Sequence, residues 1–85
     1  MDVPFGQSYG LGAMTPEQIA TTLVSAMRTP LVPTFTVTLR DGRSIEGFPC
    51  GQRHAGTPNE AYVFMLDTGN QVVIGLSLIR RVASQ

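Results

Sequence analysis

Two alternating strands meet at an Asp-Gly pair, and that junction narrows the fold of this chain more than any other feature. Phe35-Thr36-Val37-Thr38-Leu39-Arg40 alternates apolar and polar residues, Asp41-Gly42 follows, and Arg43-Ser44-Ile45-Glu46-Gly47 alternates again. Two such runs around Asp-Gly read as a β-hairpin. The favoured two-residue turn holds both central residues at positive φ, so Asp41 and Gly42 are both expected there. Gly47 breaks the second alternation, where a strand bends sharply.

The rest of the chain supplies partners for that hairpin. Residues 1–14 are glycine-rich and aperiodic, with Phe5 and Tyr9 among them, and read as a flexible tail before a domain over 15–85. Thr15 suits a helix N-cap, Pro16 the first helical position and Gln18 the far corner of a capping box. Ile19, Leu23 and Met27 recur every four residues beside Ala20 and Val24, so one apolar stripe faces a sheet. Pro30 stops this helix near Arg28, and its polar face lacks the cations of a membrane-surface helix. Residues 49–60 (PCGQRHAGTPNE) read as a long polar loop. Ala61 to Leu66 is a strand apolar on both faces, and Asp67-Thr68-Gly69-Asn70 turns the chain. Gln71 to Ile74 and Leu76 to Ile79 are strands kinked at Gly75, closed by Arg80-Arg81-Val82.

One short helix cannot cover strands that are apolar on both faces. The last strands also leave an apolar edge, which natural proteins cover or pair. In a chain of 85 residues with a single cysteine, neither disulfides nor a large core can compensate. At 42% hydrophobic and 14% charged, the composition is too apolar for disorder and poor in charge for an isolated monomer. Strand pairing between identical subunits resolves both problems. Zero net charge gives no bulk attraction to nucleic acid or membranes. All six basic residues are arginines, which suit phosphate forks, although codon usage explains the bias as well. No apolar run nears the about 20 residues of a membrane span and no signal peptide is visible, so a cytoplasmic location without membrane partners is expected.

Helix, Asp-Gly hairpin, bent second strand, third strand and kinked fourth-to-fifth strand occur in an order that resembles the Sm-like family, which includes the bacterial Hfq branch. The resemblance covers roughly residues 15–83. It rests on Val37-x-Leu39-x-Asp41-Gly42-x-x-Ile45-x-Gly47 and on the apolar frame Val72-Val73-Ile74 through Ile79 and Val82. It implies a mainly β fold: an N-terminal helix followed by a strongly bent, five-stranded antiparallel small barrel of the SH3-like kind. It further implies homo-oligomeric rings of five to eight subunits, with the fourth strand pairing the neighbour's fifth. Single-stranded RNA binding or RNA chaperoning is the function it implies. The alternative is a structural or protein-interaction ring without RNA recognition.

The family's RNA-contact positions are occupied differently here. Gly75, Leu76 and Ser77 stand where Hfq carries a Tyr-Lys-His run, Ile74 replaces an arginine, Thr38 replaces a surface tyrosine, and Thr29-Pro30-Leu31-Val32 replaces an arginine-rich rim. The candidates that remain are Gln52, Arg53, His54 and Asn59 in the long loop, Tyr62 as a stacking platform beside it, and Ser77. Histidine stacks, arginine forks to phosphate and amides read base edges; the competing reading is solvated loop residues and, for Tyr62, a core residue. Tyr62, Phe64, Val72, Val73, Ile74, Leu78 and Ile79 are the expected subunit interface. Arg80 and Arg81, adjacent on a strand, should point to opposite faces, one of them pairing a carboxylate such as Glu46 or Asp67. Cys50 and His54 lie four apart but lack an orienting third group and an oxyanion site, so no enzyme is expected. No metal or cofactor motif is present.

Overall fold

The computed structural model describes residues 12–85; the flexible-tail reading of 1–11, Phe5 and Tyr9 included, falls outside them. Helix α1 (Pro16–Met27) begins as the sequence dictates. The Gln18 N–H donates to Thr15 Oγ1 at 3.1 Å, and the Thr15 N–H donates back to Gln18 Oε1 at 2.9 Å. That satisfies two of the backbone donors left free at a helix start. Ile19, Leu23 and Ala26 form its buried stripe.

Five strands follow: β1 (Phe35–Leu39), β2 (Ser44–Arg53), β3 (Ala61–Leu66), β4 (Gln71–Gly75) and β5 (Ile79–Ser84). They form one antiparallel sheet in the order β4-β3-β2-β1-β5. The molecule is therefore mainly β, a helix followed by a five-stranded sheet. The helix and the five antiparallel strands are those expected; the sheet stays open, because no ladder joins the edge strands β4 and β5. Leu76 to Leu78, expected as a continuing strand, instead form a 3-10 turn between those edges. Three residues reach only about 10 Å, so the sheet must curl until the end of β4 lies near the start of β5.

The hairpin at Asp41-Gly42 is present but differs in type. The Leu39 N–H donates to Arg43 O at 2.8 Å, and the Gly42 N–H donates to Leu39 O at 3.0 Å. Only Gly42 has positive φ, at 96°. This is a three-residue loop ending in a left-handed glycine rather than the two-residue turn. The cause is local: Asp41 Oδ1 accepts from the Arg43 N–H at 3.0 Å, and Asp41 Oδ2 pairs with Arg43 Nε at 2.7 Å. The β3–β4 connection repeats the pattern, with Leu66 and Asn70 as the closing pair and Gly69 at φ 89°.

Gly47 does not end β2. It pairs with Phe35 on one side and Leu66 on the other, and a Cβ there would come within 2.7 Å of Met65 O. Glycine is needed for that close approach. The irregularity falls later, at Cys50: Pro49 pairs with Phe64 but Gly51 with Val63. This bulge lets β2 continue to Arg53, so the expected loop of 49–60 shrinks to 54–60. The bulge also puts Gln52, rather than Gly51, opposite Tyr62.

The inner face of the sheet closes over the helix. Phe35, Val37, Tyr62, Phe64, Ile74, Ile79 and Val82 pack with Ile19, Leu23 and Ala26 in one core. Tyr62, Phe64 and Ile79 are 0% exposed and Ile74 is 8% exposed. Their assignment to a subunit interface is thereby corrected: inward-facing positions on curled strands are consumed by the helix inside one subunit.

Candidate functional site

The sequence candidates gather at the β2–β3 hairpin end. Gln52 and Arg53 close β2, His54 opens the loop, Asn59 lies near its end, and Tyr62 is the second residue of β3. Gln52, Arg53, His54 and Asn59 are exposed. Tyr62 is buried, which corrects its reading as a stacking platform: its ring belongs to the core and offers no face to a base. Ser77 sits apart in the 3-10 turn, where its carbonyl accepts from Arg40 Nε at 2.9 Å.

The residue that organises this end is Glu60, the last residue of the polar stretch 49–60. Its Oε2 accepts the Tyr62 hydroxyl at 2.6 Å, and its Oε1 accepts the Gly56 N–H at 2.9 Å. The Gln52 amide donates to Tyr62 Oη at 2.9 Å. Glu60 O accepts the Leu76 N–H at 2.8 Å, which holds the 3-10 turn against the loop base. Thr57 completes the loop: its hydroxyl and its N–H both donate to His54 O, at 2.7 and 3.2 Å. His54 is held at φ 53°, the one non-glycine at positive φ among the described residues. The signal for Glu60 was its i, i+2 spacing from Tyr62, which places both on one face of an extended segment.

The electrostatics follow the bonding. The Tyr62 hydroxyl, with help from the Gly56 N–H, holds the Glu60 carboxyl below its ordinary value. Burial, reinforced by the Glu60 carboxylate, pushes Tyr62 up to about 12. At neutral pH the pair is an anionic acceptor and a neutral phenol donor, a strong charge-assisted bond.

Two grooves lie elsewhere. One, of about 350 Å³, is lined by Thr34, Glu46, Phe48, Met65, Asp67 and Gln85; its two carboxylates oppose phosphate binding. The other, of about 330 Å³, sits between the β1–β2 tip and Leu78, with Arg40 and Arg43 on its walls. Among the described residues no group of three or more histidine, cysteine or acidic side chains could hold a metal ion. No helix among them is long and apolar enough to cross a membrane.

The outer strands of the sheet are β4 and β5. Leu66 and Asn70 bond at one end of the β3–β4 ladder and Glu60 and Leu76 at the other. Antiparallel alternation then turns the N–H and C=O groups of Gln71, Val73 and Gly75 away from β3. Val73 is 54% exposed on this edge, and Leu78, beyond it, is 58% exposed. Of the expected interface residues, these two remain available; Val72 packs against the core. No family model, curated protein or solved structure matches the chain.

Proposed function

We propose that the chain is a self-assembling module of the Sm-like type. It forms a homo-oligomeric ring of five to eight subunits and presents the 52–60 hairpin end, once per subunit, to single-stranded RNA. The observation that carries this reading is the β4 edge. Among the described residues, three turn unpaired backbone groups outward there, beside an exposed valine, and none of the usual devices blunts the strand: no proline or charge within it and no described loop over it. Arg53 and His54 support the RNA half, because both stand exposed and His54 has a fixed backbone. Repetition around a ring lets weak contacts add. A second reading, a structural or protein-binding ring without RNA recognition, is favoured by the burial of Tyr62, which removes the aromatic platform that base stacking needs. Both readings take the protein as cytoplasmic.

Light scattering at micromolar concentration tests assembly. The wild type should run as at least a pentamer, and Val73→Arg should reduce it to a folded monomer. A wild-type monomer across the concentration range overturns the ring. Ile79→Arg is unsuitable, since it would put a charge into the core. Fluorescence anisotropy with oligo-U and oligo-A at two salt concentrations tests the ligand. Binding that weakens with salt and falls at least tenfold in the Arg53→Ala/His54→Ala double variant is expected. A ring that binds neither oligomer at low salt leaves the second reading.

A further inference from the structure

The two edges of the sheet are not equally open. Gln85 N–H donates to Thr34 O at 2.9 Å, at the far end of the β1–β5 ladder. Alternation from that pair turns Arg81 and Ala83 toward β1 and leaves Arg80, Val82 and Ser84 with backbone groups directed outward. Among the described residues, two of these groups are taken. The Met14 N–H donates to Arg80 O at 2.9 Å, and the Val82 N–H donates to Met14 Sδ at 3.4 Å. Met14, expected in a flexible tail, therefore lies along β5 like a strand one residue long, its thioether standing where a strand would offer a carbonyl.

That substitution matters. A thioether sulfur is a weak acceptor and a peptide carbonyl a strong one. An incoming strand would replace the N–H···S contact with a full N–H···O=C bond and would extend it to Ser84. The three outward residues of β5 equal in number the three of β4. We propose that Met14 is a displaceable cover. It occupies the β5 edge while the chain is alone and yields it to a strand of the β4 sequence. This rests on the assembly reading above and adds its control step: the concentration at which copies associate is set partly by how firmly Met14 holds Val82.

Met14→Leu tests this, since it keeps the side-chain volume that packs beside the core and removes the sulfur. The probe is a blocked synthetic peptide of residues 70–76 (NQVVIGL). Losing this weak bond should tighten peptide binding roughly two- to fivefold, the low end of what an ordinary hydrogen bond is worth, and speed amide exchange at Val82 by a similar factor. Met14→Pro, which also removes the N–H to Arg80, should exceed Met14→Leu in both. Unchanged peptide affinity, or unchanged Val82 exchange, in both variants overturns the cover. If the peptide binds the variants more tightly while the full chain stays monomeric in light scattering, the cover stands and the ring reading fails.

Discussion

The two ends of β2 are built in opposite ways. At its start, three residues reverse the chain, and the bonds that shape the turn lie within Leu39 to Arg43, apart from Arg40, whose N–H and Nε donate to Leu78 O and Ser77 O. At its end, seven residues connect β2 to β3, and the shape comes from Glu60, which reaches back to Gly56 and forward to the Tyr62 hydroxyl. The first turn is specified mostly within itself. The second is braced from the core, through a phenol whose ring is buried with the helix. A loop braced in this way can offer unusual backbone, such as left-handed His54, on its outer side, because Glu60 and Thr57 fix its conformation and leave the Arg53 and His54 side chains free of that task.

If this contrast is right, Gly42→Val should have the largest effect. At φ 96° a β-branched residue is strained by about 1 to 3 kcal/mol, read as a lowered denaturation midpoint with amide exchange in the 54–60 loop unchanged. A variant of wild-type stability would show that the first turn is not self-specified. Glu60→Ala should cost somewhat less, about 1 to 2 kcal/mol, but should sharply raise amide exchange across residues 54–59. Loss of stability without that local loosening would break the idea that the loop is braced by Glu60.

The smallest effects lie in the pH dependence. Glu60 titrates lower in the folded chain than unfolded, so its contribution is complete above its ordinary value of 4.5 and disappears as pH falls through the folded value. Tyr62 is shifted the other way. Its contribution is complete below its ordinary value of 10.0 and is lost as pH rises toward about 12. Urea midpoints across pH 3 to 12 should decline in both windows, and Tyr62→Phe should flatten the alkaline decline. An unaltered alkaline decline in that variant would place the responsible group elsewhere.

The same contrast explains what could be read from the sequence. Thr15, Pro16 and Gln18 mark the helix start because a capping box lies within four residues. The five strands and their antiparallel succession follow from alternation and turn glycines, which are equally local. The Cys50 bulge and the 3-10 turn at 76–78 were hidden because both depend on how far the sheet curls. Tyr62, Phe64 and Ile79 look alike whether an apolar strand faces a neighbour or its own helix; only the curvature decides that they belong to the core. Glu60 acts on near neighbours, Gly56 and Tyr62, but its role shows only once Tyr62 is known to be buried and in need of an acceptor; Met14 acts on residues distant in sequence and through an atom rarely counted as an acceptor.

The Cys50 bulge also limits how this chain can vary in length. Cys50 is the extra residue of β2, so a chain lacking it would still set Gly51 against Val63 and Gln52 against Tyr62, losing only a local bend. Removing any other single residue between Gly47 and Arg53 without a compensating bulge would exchange inside for outside in everything beyond it, placing Arg53 where Gln52 meets the phenol. Descendants of this sequence that gain or lose one residue in the strand should therefore do so at position 50, and changes elsewhere along it should come in pairs.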